Sequence, residues 1–357
     1  MSSEPKHAGK EEETSGRKLQ LQHTWLSIII PAYNSEAYLG ECIESIKPEL
    51  HPDVGIVVID DGSSDGTPRL CDALSVKHEN LLAVHTDNHG AAAARNVGVA
   101  IADDKFHSQW VWFVDSDDVI SPFALAFLKP LASSTDADMV QMKFNEFSDG
   151  KEPAWPAPVP SENAGSISSY EFLSGLYRGQ YCHYMWSFLL RAEMLCSRND
   201  HMSARSRNEH RAVLPEDYSL YEDVVAVERL AREAKTVAIA DQPLYGYRQL
   251  NTSVSHKHSD SAADSGLRAV LEIADYDTPK QLKADKTRME MSLLFTAYRI
   301  AGIKGVHAHD LKQRIREEIE TRANSIGIWS LGPSRLARYA ALETGLMDKI
   351  IAWRERD

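Results

Sequence analysis

Cysteine is scarce in this chain. Cys42, Cys71, Cys182 and Cys196 are its only four in 357 residues. With no C-x-x-C pair and no metal-finger spacing, they exclude a disulfide scaffold and a zinc module, and fit reduced thiols in a cytoplasmic protein. Long apolar runs are missing too: none approaches the roughly 20 residues that cross a bilayer. Positive charge is in deficit, 39 Lys and Arg against 52 Asp and Glu for a net charge of −13. No overall positive field exists to attract a phosphate backbone, so nucleic acid is not an expected partner. Two glycine-rich loops are also absent. The first apolar strand runs into Pro31-Ala32-Tyr33-Asn34, where a dinucleotide-binding dehydrogenase would carry G-x-G-x-x-G. No G-x-x-x-x-G-K-[ST] occurs, which removes the P-loop kinases.

What is present is the composition of an ordinary soluble globular chain, 43% hydrophobic and 25% charged. The stretch Trp110-Val111-Trp112-Phe113-Val114 reads as a strand buried on both faces. It leads into Asp115-Ser116-Asp117-Asp118, too much charge for a strand to continue through. These carboxylates therefore sit at the carboxyl edge of a sheet, where open α/β folds bind ligands. Asp115 and Asp117 can converge on one point as hard oxygen ligands for Mg²⁺ or Mn²⁺. Asp118 is read instead as a residue of a helix start, where a carboxylate meets free N–H groups.

Leu26-Ser27-Ile28-Ile29-Ile30 is the first strand, expected to stop at Pro31 because proline cannot donate to a ladder. Asn34 or Ser35 is expected to cap a helix from about Glu36 to Ile46. A second buried strand, 55–59, runs into Asp60-Asp61-Gly62-Ser63, which by itself is an ordinary turn sequence. A helix from Thr67, a strand over 81–85 and a helix opening on Gly90 follow, making Trp110–Val114 the fourth strand of a β-α-β-α-β-α-β series. That alternation predicts an α/β fold with a Rossmann-like, mostly parallel sheet and helices on both faces. Ser121-Pro122 should cap the next helix. Beyond it come a strand over 138–147, a loop over 149–165, a capping box at Ser168-x-x-Glu171, a strand over 185–190 and a polar loop over 197–210. A helix from Tyr221 to about Ala234 and a strand over 237–240 complete this part.

The expected organisation is a disordered leader over 1–24, a main domain over 25–258 divided near 147, and a helical C-terminal extension over 259–357. The leader is Glu-, Lys- and Ser-rich without the apolar core of a signal peptide. Near the C-terminus, Leu336, Ala340, Met347, Ile350 and Ile351 recur at helical spacing beside Arg335, Arg338 and Lys349, with Trp353 close to the end. Such a helix either packs on its own protein, joins two subunits, or lies on an anionic membrane surface. The first two are favoured, because Glu343, Asp348 and Glu355 dilute its positive charge.

Four motifs occur in order: Ile28-Ile29-Ile30-Pro31-Ala32-Tyr33-Asn34, Val58-Ile59-Asp60-Asp61-Gly62-Ser63-Ser64-Asp65-Gly66, Ala93-Ala94-Arg95-Asn96-x-Gly98, and Phe113-Val114-Asp115-Ser116-Asp117-Asp118. This combination resembles the family 2 glycosyltransferases with a GT-A fold. It spans about Leu26 to Phe147 and persists more weakly through Trp186, Glu222-Asp223 and Leu244-Tyr245-Gly246-Tyr247-Arg248. The resemblance implies an inverting transfer of a sugar from a nucleotide diphosphate sugar, usually a UDP-sugar, to a hydroxyl of a saccharide or lipid-linked acceptor in cell-surface polysaccharide or glycolipid synthesis. It implies that Pro31, Tyr33 and Asp61 hold base and ribose, with Asp60, Ala32 and Asn34 beside them. Arg95 would face the diphosphate or donor sugar. Asp115, Ser116 and Asp117 would form the family's D-x-D, whose two carboxylates bind Mg²⁺ or Mn²⁺.

Inversion by single displacement needs a base opposite the leaving diphosphate. Asp223 is the candidate, with Glu222 as its substitute; the less favoured alternative is that acidic residues simply suit a helix start. His256 is a further candidate metal ligand, though a solvated loop histidine is the simpler reading. Two other functions compete with this one. A sugar-phosphate nucleotidyltransferase would carry a Gly-rich basic loop after its first strand. A non-catalytic protein that kept the fold would be expected to lose Asp115 or Asp117. The expected location is the cytoplasm, with the inner face of the membrane as a peripheral alternative.

Overall fold

The computed structural model describes residues 24–47, 50–157, 165–195, 214–250, 259–301 and 306–349. The leader, the polar loop around 197–210, His256 and the terminal stretch with Ile350, Ile351 and Trp353 lie outside the described residues.

The first half alternates as the apolar runs predict: β1 (Leu26–Ala32), α1 (Leu39–Ile46), β2 (Val54–Asp61), α2 (Thr67–Lys77), β3 (Leu81–Thr86), α3 (Ala91–Phe106) and β4 (Trp110–Phe113). Their order in space is β3-β2-β1-β4, all parallel. The chain winds outward from β1 to β3 and returns to the other side of β1, which puts the switch point between β1 and β4. The tips of β2, β1 and β4 are therefore neighbours.

β4 is buried on both faces. Trp110, Trp112 and Val114 join the layer that holds α1 and α4 (Ala124–Ser134), while Val111 and Phe113 join the layer on the other face with α3. Each fully buried side chain of this size contributes on the order of 1.5–3 kcal/mol.

β1 does not stop at Pro31; it continues in register to Ala32 opposite Asp60. The Ile29 carbonyl accepts the Val114 N–H, the last contact on the β4 side. Backbone groups alternate sides along a strand, so Pro31 turns its missing donor toward that same side, beyond where β4 has ended. α1 begins at Leu39 rather than Glu36, because Ser35 Oγ is bound to Ser116 Oγ at 2.7 Å and caps nothing. α4 likewise starts after Phe123, with Ser121 accepting from the N–H groups of Phe123 and Ala124.

The second half makes the sheet mixed. β8 (Phe188–Arg191) inserts antiparallel between β4 and β6 (Met139–Ser148), and β9 (Thr236–Gln249) lies parallel to β6. Two short strands, β5 (Val119–Ile120) and β7 (Ser166–Ser168), pair antiparallel with β9. The expected strand over 185–190 begins instead as a 3-10 turn, Met185–Ser187. The capping box opens α5 (Ser169–Tyr177) as its spacing predicts, and α7 covers Glu222–Glu233.

The C-terminal helices α8 (Asp260–Asp275), α9 (Lys283–Ile300), α10 (Val306–Ile326) and α11 (Pro333–Glu343) share their own apolar cluster around Leu294, Ile315 and Leu342. Leu336 and Met347 pack against that cluster, and Arg335 donates to the Arg288 carbonyl and to Ser292 Oγ. Within the described residues, this stretch folds back on its own protein. No helix among them is long and apolar enough to cross a membrane.

Candidate active site

The loop after β1 is stitched to the loop after β2. Asn34, at φ 50°, donates its N–H to Ser63 Oγ (2.9 Å) and accepts the Ser64 N–H (2.8 Å). Tyr33 stays half exposed beside this seam, at 53%. Gly62 has φ +70°, and a Cβ there would lie 2.7 Å from the Asn88 backbone nitrogen, so only glycine fits without strain. The carboxylates of Asp60 and Asp61 are buried and engaged. Asp60 accepts the Ser63 N–H (3.1 Å) and faces His85 Nδ1 (2.7 Å). Asp61 accepts the N–H groups of His89 (2.9 Å) and Gly90 (2.8 Å), fixing the entry to α3.

That entry aims Arg95 at the switch point. Its guanidinium is buried, 2.6 Å from Asp115 Oδ1 through Nη2 and 3.6 Å from Asp223 Oδ1 through Nη1. Arg95 Nε and Asp223 Oδ1 have no hydrogen-bond partner among the described residues. Burial works against the Arg95 charge, but Asp115, Asp223 and Glu222 more than offset it and hold the group protonated. One cation thus gathers the residues expected to bind metal, diphosphate and acceptor proton.

The carboxylates beyond β4 repel one another. Asp117 is pushed up to about 6, first by burial and then by Asp115. Asp118 is raised further by burial, Asp115 and Asp117. Asp118 is not a helix-start residue: it is 1% exposed, accepts the Tyr245 hydroxyl at 2.6 Å and accepts the Arg248 N–H at 2.7 Å. Tyr245 Oη in turn accepts the Asp115 N–H at 3.0 Å, and Arg248 Nε donates to the Asp117 carbonyl at 2.7 Å. β9 therefore holds the carboxylate loop from behind. Sequence reasoning assigned no role to Tyr245 or Arg248; their place in a matching motif was the only signal.

Among the described residues no three His, Cys, Asp or Glu side chains form a metal cage. Asp115 and Asp117 offer two hard oxygen donors and an excess of negative charge. That fits Mg²⁺ or Mn²⁺ with phosphate oxygens and water completing the shell.

On the opposite wall, Asp223 stands in the first turn of α7 and accepts the Met185 N–H at 3.1 Å. Its carboxyl is raised well above the ordinary range by burial; Arg95 opposes this, while Glu222 adds to it. Tyr221, just before the pair, adopts φ 70° and ψ 20°, a costly conformation for a bulky side chain. Its hydroxyl donates to the Leu293 carbonyl of α9 at 3.0 Å, so the C-terminal helices hold the start of α7.

Comparison with known proteins bears on the fold that carries these residues. The sequence model of Glycosyl transferase family 2 matches residues 27–192. The glycosyltransferase GlyG of Streptococcus pneumoniae is 33% identical over 32% of this chain, an alignment spanning only 37% of that relative's length. EpsH of Bacillus subtilis, also named as a glycosyltransferase, is 25% identical over 74% of this chain and 71% of its own. Among solved structures, S. aureus TarS 1–349 in complex with UDP-GlcNAc superposes with a TM-score of 0.60. It covers 90% of this chain and 91% of its own at 18% identity, a likeness of fold. Residues 27–192 of this chain thus match the model of glycosyl transferase family 2, and the chain shares the GT-A-like fold.

Proposed function

We propose that the protein is an inverting glycosyltransferase that moves a sugar from a UDP-sugar to an acceptor hydroxyl in the synthesis of a cell-surface polysaccharide or glycolipid. The observation that carries this reading is Arg95 lying between Asp115 and Asp223. It divides the site into a donor wall, Tyr33 to Asp117, and an acceptor wall headed by Asp223. Asp223 takes the proton of the acceptor hydroxyl as its oxygen bonds to the anomeric carbon. The bond from that carbon to the diphosphate breaks on the opposite face, and its electron pair leaves on the diphosphate oxygen. Asp115 and Asp117 would hold Mg²⁺ or Mn²⁺, which when bound neutralises charge on the departing diphosphate. Arg95, whose buried Nε has no hydrogen-bond partner among the described residues, supplies positive charge beside the same anion. Likeness to a fold solved with UDP-GlcNAc supports the choice of UDP.

The test is release of nucleoside diphosphate from a panel of UDP-, GDP- and dTDP-sugars with Mg²⁺ or Mn²⁺, and its loss with EDTA. Anomeric configuration of any product is read by NMR. No release from any donor refutes the proposal, and retention refutes inversion.

Peripheral contact with anionic lipid is a second part of this reading, favoured by one observation. Trp329, in the 3-10 helix Ile328–Leu331, is 88% exposed. Arg288 donates to the Ser330 carbonyl, and Arg288 and Arg338 both press on the half-buried Arg335. An exposed Trp on a turn held by Arg288, with Arg335 near that arginine and Arg338 near Arg335, suits a negatively charged interface. Flotation with anionic and with neutral vesicles tests it; equal recovery of the wild type and Trp329→Ala in the aqueous fraction ends the idea.

A further inference from the structure

Tyr184 is 46% exposed, yet it is not loose. Its carbonyl accepts the Ser187 N–H at 2.9 Å and the Ser187 hydroxyl at 2.7 Å, which fixes the 3-10 turn that follows. Its ring lies flat on the buried Trp186, with centroids 4.9 Å apart and planes 8° apart, and Trp186 is stacked in turn on Tyr245 at 4.4 Å. Tyr247 extends the same surface at 6.3 Å from Tyr184. One face of the Tyr184 ring is thus held against Trp186 while much of the residue remains open to solvent. The next residue, Met185, gives its N–H to Asp223. The phenol itself is pushed up by burial, then by Cys182, Glu146 and Asp223, so the ring stands within the field of the base.

An exposed, rigid aromatic face beside a base suits a ring with a flat patch of C–H groups, which stacks on aromatic side chains. An open-chain polyol has no such patch. A phosphate-bearing chain end lying on Tyr184 would also meet Glu146 and Asp223 as like charges. We infer that Tyr184 is the platform on which the acceptor lies, and that the acceptor presents a neutral pyranose ring to the site. This rests on the proposed transfer reaction and names its acceptor class.

The experiment is saturation-transfer NMR on the full chain with Mg²⁺ and UDP. The probes are methyl glucopyranoside, methyl galactopyranoside and methyl N-acetylglucosaminide, each against ribitol and glycerol 3-phosphate. Wild type and Tyr184→Phe should saturate the ring C–H protons of at least one pyranoside, and Tyr184→Ala should not, with all three showing the same circular dichroism. In turnover, Tyr184→Ala should raise the acceptor KM about tenfold, the worth of one lost aromatic contact. Equal saturation in wild type and Tyr184→Ala, ribitol bound as well as the pyranosides, or no pyranoside bound at all would each overturn the inference. The binding measurement needs no turnover, so a protein that binds pyranosides through Tyr184 but releases no diphosphate would refute the transfer reaction and leave the platform standing.

Discussion

The Asp118 carboxylate accepts the Tyr245 hydroxyl at 2.6 Å, across 127 positions of sequence. The same hydroxyl accepts the Asp115 N–H. One phenol therefore fixes a buried carboxylate and the backbone of a candidate metal ligand together. Replacement by Phe leaves Asp118 short of a donor in a buried place. Tyr245→Phe is expected to cost about 1–3 kcal/mol, the range for leaving a buried polar group without its partner. Urea unfolding measures this, and an unchanged midpoint would show that the loop does not depend on β9.

Asp115 and Asp117 should separate in their effects on stability. Both Asn variants are expected to abolish metal-dependent transfer. Asp115→Asn also removes the nearer partner of the buried Arg95, and losing one partner of a buried pair costs about 3–5 kcal/mol at most. Asp117→Asn instead relieves a carboxyl raised by burial and by Asp115, and should stabilise the metal-free protein at pH 7.5 by on the order of 1–2 kcal/mol. Thermal unfolding of the two variants distinguishes them; near-normal turnover of either with Mn²⁺ would remove it from the metal site.

The different fates of three adjacent carboxylates mark how far the sequence could be read. Apolar runs ending in Asp60-Asp61 and Asp115-Ser116-Asp117 located the sheet edge, because strand burial and strand ends are local properties. The β3-β2-β1-β4 order made those ends neighbours, as the alternation of strands and helices implied. Asp118 was misread because its partners, Tyr245 and the Arg248 backbone, come from β9. The antiparallel insertion of β8 was equally hidden, since three apolar residues and an arginine carry no sign of direction. Tyr221 in a left-handed conformation is held from α9, and no local propensity announces it.

Stability and metal binding should both depend on pH. Asp117 has a folded pKa of about 6, raised above its value in the unfolded chain, and Asp118 is raised as well. Their contribution to metal-free stability is fully present below about pH 4, the unfolded value, and is lost as pH rises through about 6 and beyond. A divalent cation binds the deprotonated pair, so its stabilising effect should grow over the same window. Thermal unfolding with and without Mn²⁺ at pH 5 and pH 8 checks this; an equal metal-induced shift at both would place the cation elsewhere.

Asp223→Asn should lower turnover by about two to four orders of magnitude, the range for a lost general base, while UDP binding is kept. The raised carboxyl predicts that wild-type activity climbs through a pH well above the ordinary Asp value, since the base acts only when deprotonated. A crippled Glu222→Gln beside an active Asp223→Asn would exchange the two roles. Full activity in both variants would leave the pair as helix-start residues.

The start of α7 also depends on helices that the family match does not reach. A Cβ on Gly266 of α8 would sit 2.8 Å from Leu220 Cδ2 and 3.2 Å from Tyr221 Cε2. Within a helix, alanine is otherwise favoured over glycine by about 0.8–1 kcal/mol. Gly266→Ala therefore tests packing against propensity. Packing is expected to prevail at the site, because the added Cβ displaces side chains of Leu220 and Tyr221, which lead directly into Glu222 and Asp223, and Tyr221 is tied to the Leu293 carbonyl. A shift of the base by a fraction of an ångström is expected to lower kcat about tenfold, since misplacement by about 1 Å can cost a hundredfold. UDP affinity, set on the donor wall, should stay within about twofold. Single-turnover kinetics and UDP titration separate the two quantities. A variant with unchanged kcat and a higher melting temperature would show that α8 merely adjoins α7 and does not position it.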